Sequence, residues 1–222
     1  MSPALQTFRD DSFTVPVCGF LHRPDAASGR GLVLTHGAGS NGNTSLLIAL
    51  AEAFAGAGFS VLRCDLPFRQ NRAFGPPRPG DAERDREGLR GALAVMRKLG
   101  CEQVFLGGHS YGGRQATMLS AEQCDLAAGL LLLSYPLHPP RKPVQLRVQH
   151  LPELNVPALF THGTRDPFGT VEEMKAALKM IPGKTKLLVV DGAGHDLGFK
   201  GKSMRQGLAG EVVAACAGFF SS

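Results

Sequence analysis

The chain has little of what several protein classes require. It contains no tryptophan and only two tyrosines among its 222 residues, and it carries no recognisable nucleic-acid-reading motif, so we expect no nucleic-acid partner. Its five cysteines are scattered without a C-x-x-C pair. That pattern argues against a disulfide framework and against a structural metal, and it favours free thiols in a reducing cytoplasm.

Long apolar runs are also missing. The longest apolar stretches, such as 104–106 and 130–133, have the length of a strand, whereas a membrane-spanning helix needs about 20 apolar residues. Residues 1–10 lack the basic-then-apolar order of a secretory signal. We therefore expect a cytoplasmic protein with no membrane span, no bound metal and no cofactor.

The most informative motif is a serine between two glycines, in the sequence Gly-His-Ser-Tyr-Gly at 108–112. It follows the apolar run 103–106 and precedes a small-residue stretch of helical character. A serine at such a strand-to-helix turn is typical of a nucleophile elbow, where a strained turn exposes the hydroxyl and leaves room only for glycine at the flanking positions. The pentapeptide also occurs by chance in surface turns, so its partners decide the interpretation.

A hydrolytic triad needs an acid and then a histidine, each just after a strand. The apolar run 156–160 is followed by a turn that carries Asp166, and the run 186–190 by a glycine-rich turn that carries His195. Both residues follow Ser110 in the required order. We therefore predict that Ser110 is the nucleophile, Asp166 the orienting acid and His195 the general base.

Other residues compete for these roles. Asp191 and Asp196 lie close to His195 in sequence, but an acid one residue from the histidine normally points elsewhere, so we prefer Asp166. Structural roles are expected for three further histidines at strand ends and beside the serine: His36, His109 and His162.

A second glycine-rich turn, 36–40, follows the apolar segment 31–35. Its backbone N–H groups are free of large side chains, as an oxyanion hole requires. We expect one donor from the residue after the nucleophile, Tyr111, and the second from Ala38 in this loop. A phosphate-cradling loop is the alternative, and it is less favoured because the G-x-x-x-x-G-K-[ST] pattern is absent.

In these motifs the chain resembles the α/β-hydrolase superfamily from Val17 to Phe220. It further resembles a compact subgroup that includes dienelactone-hydrolase-like proteins and the hydrolase-like domains of testis-expressed and chromatin-complex proteins. Dienelactone hydrolases proper have a cysteine nucleophile, whereas the matching position here is Ser110, which argues against dienelactone substrates. The segments that carry the subgroup resemblance are 21–24, 36–39, 63–67 and 107–114.

Strand-like and helix-like segments alternate along the chain. This alternation predicts an α/β fold with a mostly parallel central sheet and helices on both faces, and the length fits a single α/β-hydrolase domain over 1–222. We expect an early antiparallel strand at 13–21. The other predicted strands are 31–35, 60–63, 103–106, 127–134, 156–160 and 186–190, and the predicted helices are 45–57, 81–100, 171–180 and 203–219.

Substrate access is expected to depend on the segment 136–155, where this fold usually carries a lid. The segment is short, rich in proline and without helical periodicity, which predicts a minimal cap and a shallow, open site. The net charge is +5, and two basic clusters are expected on the rim, where they could attract an anionic substrate or simply be solvated. The clusters are Arg63, Arg69, Arg72 and Arg78, and then Arg141, Lys142 and Arg147.

The sequence therefore predicts a serine hydrolase with a small-molecule substrate. An acyl-enzyme on Ser110 would hydrolyse carboxylic esters or thioesters with small acyl groups. The alternative is a catalytically idle hydrolase fold that serves as an interaction module. Such domains usually lose a member of the triad, and none is missing from this sequence.

Overall fold

The computed structural model describes residues 4–199 and 207–220. Within them, eight strands form one sheet: Ala4–Asp10 (β1), Val17–Arg23 (β2), Arg30–Thr35 (β3), Ser60–Cys64 (β4), Gln103–His109 (β5), Leu130–Leu133 (β6), Ala158–Gly163 (β7) and Thr185–Val190 (β8). The helices of the same residues are Ser45–Gly56 (α1), Pro67–Asn71 (α2), Asp81–Lys98 (α3), Tyr111–Glu122 (α4), Val171–Leu178 (α5) and Leu208–Phe220 (α6).

The strand order in the sheet is β1-β2-β4-β3-β5-β6-β7-β8. Strand β2 runs antiparallel to both β1 and β4, and every pair from β4 onward is parallel. The predicted α/β fold with a mostly parallel sheet is confirmed. None of the helices in the described ranges is long and apolar enough to cross a membrane.

Helices cover both faces of the sheet because its central strands are apolar on both sides. In β3, Val33 joins the core that includes Leu89 and Leu93 of α3, whereas the neighbouring Leu32 and Leu34 join the core of α1 and α6. Side chains alternate between the faces of a strand, so one short apolar segment supplies both cores.

The sequence did not predict β1 or α2, and it placed one strand too early in the chain. The predicted strand 13–21 is observed as β2, at Val17–Arg23, with the expected antiparallel pairing. The unpredicted edge strand β1 is mostly exposed, so it has no apolar alternation to detect. The unpredicted α2 has five residues, too few to display helical periodicity. Part of the predicted helix 203–219 lies outside the described residues, and α6 is described from Leu208.

The register of the parallel strands brings their carboxyl ends to one edge of the sheet. Thr35 of β3 is paired with Gly108 of β5, and His109 is paired with Leu133 of β6. Gly163 of β7 is likewise paired with Val190 of β8. The turns after β3, β5, β7 and β8 therefore meet at this edge, where ligands bind in open α/β sheets.

The segment 136–155 lies over this edge as a loop with a single 3-10 turn at Leu151–Glu153. It is anchored from below, since the hydroxyl of Tyr135 donates to the carbonyl of Arg147 at 2.8 Å. The Arg147 N–H in turn donates to the carbonyl of Leu137 at 2.8 Å. The extent of the domain over 1–222 stays a prediction.

Candidate active site

Ser110 occupies the turn between β5 and α4, as the elbow motif predicts. Its backbone has φ 52° and ψ −116°, a conformation that is rare for a residue with a side chain and that is concentrated at functional sites. The turn is fixed by the Ser110 N–H, which donates to the carbonyl of Leu133 at 2.8 Å. A Cβ at Gly108 would lie 2.5 Å from the carbonyl carbon of Gly112, so only glycine fits there.

The three residues predicted as a triad lie in hydrogen-bond contact. The Ser110 Oγ is 2.8 Å from Nε2 of His195, and the Nδ1 of the same ring is 2.8 Å and 3.0 Å from the two carboxylate oxygens of Asp166. The Asp166 side chain has no exposed surface, whereas that of His195 is 22% exposed. The buried acid can thus hold the ring while the ring remains open to the cavity.

Asp166 and His195 come together because backbone hydrogen bonds join the turn after β7 to the turn after β8. The N–H of Thr164 donates to the carbonyl of Val190 at 3.1 Å, and the N–H of Arg165 donates to the carbonyl of Ala193 at 2.9 Å. A Cβ on Gly163 would lie 2.3 Å from that same Ala193 oxygen. This close approach, which only glycine allows, brings the two turns within reach of one hydrogen bond.

Two aromatic neighbours orient the His195 ring. Phe168 stacks on it with ring centroids 4.1 Å apart and an interplanar angle of 30°. The backbone N–H of Phe168 donates to the carboxylate of Asp166 at 2.9 Å. The same turn therefore holds both the ring that stacks on His195 and the acid that accepts from it. The Nε2–H of His109 donates to the His195 carbonyl at 2.7 Å, and burial lowers the pKa of His109 to about 4. His109 is therefore a neutral donor that anchors the histidine turn.

The competing acids have other partners. Asp191 accepts a hydrogen bond from the Thr164 hydroxyl at 3.3 Å, and Asp196 accepts one from the N–H of Gly198 at 3.1 Å. Neither replaces Asp166 at the Nδ1 of His195.

His36 and His162 serve the backbone. The Nε2 of His36 accepts from the N–H of Leu66 at 3.0 Å, so its Nδ1–H donates to the carbonyl of Gly37 at 2.8 Å. Burial lowers the pKa of this histidine, which keeps the ring in that neutral form. His162 donates from Nε2 to the carbonyl of Gly169 at 2.7 Å. Both rings have the structural contacts expected of them.

Ala38 and Tyr111, the predicted oxyanion donors, line the same cavity as Ser110. Tyr111 is the first residue of α4, so its N–H has no partner within the helix. In residues 4–199 and 207–220, neither backbone N–H donates to a protein acceptor. Both groups are therefore free to bind a substrate oxygen.

Arg69 holds the loop that carries Ala38, and this role was not predicted. Its guanidinium donates to the carbonyl of Ala38 at 3.0 Å and to that of Ser40 at 2.8 Å. It also donates to the carbonyls of Arg72 and Gly75, at 3.0 Å and 2.9 Å. These hydrogen bonds to its carbonyl oxygens fix the loop, while the N–H of Ala38 remains available.

The interpretation of the first basic cluster as a set of rim cations was wrong for two of its members. Arg63 is 2% exposed and Arg69 is 8% exposed. Arg63 donates to His22 at 2.8 Å, to the side chain of Asn43 at 2.9 Å and to the carbonyl of Gly42. These arginines are buried because several backbone and side-chain acceptors replace the water that they lose.

Asp85 is a further residue that the sequence analysis missed. This fully buried carboxylate of α3 accepts from the Tyr111 hydroxyl at 2.8 Å and from the N–H of Phe68 at 3.0 Å. These two hydrogen bonds tie α2, α3 and the start of α4 together. Burial raises the pKa of Asp85. The signal was present, because Asp85 has helical spacing to the apolar Leu89 and Met96.

The loop after β3 also has the G-x-G-x-x-G spacing of dinucleotide-binding turns at 37–42, which the sequence analysis overlooked when it set the phosphate-cradling alternative aside. In the structure its last N–H, that of Gly42, donates to Asp65 at 2.6 Å. Helix α1 begins only at Ser45, and the N–H of Gly42 already has a carboxylate acceptor.

The candidate site opens into a cavity of about 960 Å³. Its lining includes Ser110, Tyr111 and His195, Ala38 of the loop after β3, and Arg147 of the cap. The arrangement combines a hydroxyl in contact with a histidine, free N–H donors and room for a small molecule.

The sequence matches the alpha/beta hydrolase domain family over residues 28–220, and the chain belongs to that family. Dienelactone hydrolase from Anabaena variabilis is 21% identical, with 100% of this chain and 98% of that chain covered and a TM-score of 0.75. A lidless α/β serine hydrolase from Xanthomonas campestris is 15% identical, with coverages of 100% and 97% and a TM-score of 0.75.

Est1E from Butyrivibrio proteoclasticus is 15% identical, with 97% of this chain and 99% of that chain covered and a TM-score of 0.74. At these identities the solved structures establish the fold. The predicted resemblance to the α/β-hydrolase superfamily is confirmed, and the protein is an α/β hydrolase.

Proposed function

We propose that the protein hydrolyses carboxylic esters or thioesters with small acyl groups through an acyl-enzyme on Ser110. The observation that carries this proposal is the continuous hydrogen-bond chain from the Ser110 hydroxyl through His195 to the buried Asp166. A nucleophile, a base and an orienting acid in contact are the recurring parts of serine hydrolases.

In the first half of the reaction, Nε2 of His195 accepts the Ser110 proton as Oγ attacks the carbonyl carbon. Asp166 accepts from Nδ1, which fixes the tautomer and stabilises the imidazolium that forms. The backbone N–H groups of Ala38 and Tyr111 bind the oxyanion of the tetrahedral intermediate.

The leaving alcohol or thiol then takes the proton from His195, which leaves the acyl group on Ser110. Water, activated by the same imidazole, attacks this ester through a second tetrahedral intermediate and releases the acid.

The cavity supports the proposed substrate class. The cap is a single loop with no helical lid, so the space above Ser110 fits a small molecule rather than an enclosed long acyl chain. The cytoplasmic location predicted from the cysteine pattern belongs to the same proposal.

Replacement of the nucleophile tests the assignment. Ser110→Ala should lower ester turnover by about 10³- to 10⁶-fold, measured with a 4-nitrophenyl ester of a short acid. Ser120→Ala on the same helix is the matched control, because Ser120 is buried and makes no side-chain hydrogen bond within the described residues. It should retain turnover.

Near-wild-type turnover in Ser110→Ala would contradict the proposal. A folded wild-type protein that turns over no ester or thioester would favour the alternative, an interaction module on a hydrolase fold.

A further inference from the structure

Two arginines share the wall of the active-site cavity. Arg114 lies on α4, four residues after Ser110, and Arg147 lies in the cap. Both are partly buried. The exposed cap residues Arg141 and Lys142 do not line the cavity, so the second basic cluster of the sequence divides into two solvated cations and one cavity cation.

Neither cavity arginine has an ion-pair partner among the residues that the structure describes. In residues 4–199 and 207–220, the arginines that form ion pairs within 4.0 Å are Arg9, Arg72, Arg86 and Arg90. No carboxylate of these residues lies that close to either cavity guanidinium. The Nε of Arg114 is buried and has no hydrogen-bond partner among the described residues. A buried, unpaired donor is uncommon in native proteins and points to a missing acceptor.

The surroundings leave this positive charge uncompensated. Burial, followed by the charge of Arg114, lowers the pKa of Arg147. Burial, again followed by the charge of Arg114, lowers the pKa of His150 to about 4. Asp196 is the acidic side chain among the described residues that line the cavity, and it caps the N–H of Gly198 in its own turn.

We propose that Arg114 and Arg147 form a subsite for an anionic group on the substrate, a carboxylate or a phosphate carried by the ester or thioester that Ser110 attacks. The inference rests on the proposed function for the bond that is cleaved. Both arginines line the cavity, so an anion bound there compensates their positive charge, and the planar fork of arginine matches two oxygens of either group.

The subsite also predicts where the anionic group lies. Four residues along a helix advance about 6 Å, so the guanidinium of Arg114 can reach an anion only a few bonds from the scissile carbonyl. The preferred substrate is therefore a short ester with a terminal anionic group, not a neutral ester or a long acyl chain.

The first test compares two esters that differ only in this charge: the 4-nitrophenyl half-ester of adipic acid and its methyl ester. The ratio of kcat/KM for the carboxylate over the methyl ester should fall about 10- to 100-fold in Arg114→Gln and in Arg147→Gln. Arg141→Gln, which changes an exposed cation of the same cap, should keep the wild-type ratio. An unchanged ratio in both cavity variants would overturn the subsite.

The second test measures binding without turnover, in Ser110→Ala. Calorimetry with monomethyl adipate and with inorganic phosphate distinguishes the two anion sources, and either anion should lose its binding on Arg114→Gln in that background. Binding of neither anion would overturn the proposal. Should wild type hydrolyse neither ester while the anion still binds, the proposed function fails and the subsite stands.

Discussion

At the scale of single residues, the candidate site depends on buried polar side chains that hydrogen-bond the residues of the proposed oxyanion hole. Arg69 donates to the carbonyls of Ala38 and Ser40, and Asp85 accepts from the Tyr111 hydroxyl. Both proposed oxyanion donors therefore belong to residues whose other polar atoms are fixed. Donors that are already oriented need no reorganisation when charge develops on the substrate.

Arg69→Met should lower kcat by about 10- to 100-fold while KM changes little, since a loosened Ala38 donor weakens binding of the oxyanion more than binding of the neutral ester. Arg69→Lys should not restore the rate, because one ammonium cannot replace the several N–H groups of the guanidinium. The measurement is steady-state kinetics with a neutral short-chain ester.

Arg78→Met is the matched control, because Arg78 lies in the same segment between β4 and α3 and is exposed. It should leave kcat unchanged. A kcat for Arg69→Met equal to that of wild type would contradict the positioning role.

At the scale of elements, the parallel part of the fold could be predicted because its strands are short, largely apolar runs that alternate with segments of helical periodicity. The predicted helix at 45–57 is observed as Ser45–Gly56, and the one at 171–180 as Val171–Leu178. The edge strand β1 could not be predicted, since it buries no regular apolar face. Helix α2 could not be either, because it is a single turn that begins with Pro67.

The same reasoning separates the predictable from the unpredictable part of the candidate site. Ser110, Asp166 and His195 each follow an apolar run, so their order along the chain was enough to propose them. Whether an arginine is buried or exposed could not be predicted in this way. Arg63 and Arg69 are buried by carbonyl acceptors in distant turns, and no local pattern of the sequence reveals such acceptors.

At the scale of the whole molecule, folding requires several histidines to stay neutral. Burial lowers the pKa of His22, His109 and His150 to about 4, below the ordinary value of about 6.5. Between these values the unfolded chain binds more protons than the folded one, so stability falls as the pH falls. Asp85 acts in the opposite direction, because its raised pKa makes the folded state take up a proton first.

We therefore expect the free energy of unfolding to decrease from pH 7 to pH 4.5, by on the order of 1–3 kcal/mol for each of these histidines, less the contribution of Asp85. Urea unfolding at the two pH values measures the change. His150→Gln removes one of the three groups and should make the dependence on pH weaker. Equal stability at both pH values would contradict the neutral, buried state of these rings.

The central claim is that Ser110 is an activated nucleophile, and covalent labelling by a fluorophosphonate tests it most directly. After reaction at neutral pH and proteolysis, mass spectrometry should place the phosphonyl group on the peptide that contains Ser110. His195→Ala should slow the labelling by orders of magnitude, because the hydroxyl then lacks its base. A folded wild-type protein that stays unlabelled, or that carries the label on a serine other than Ser110, would contradict the account.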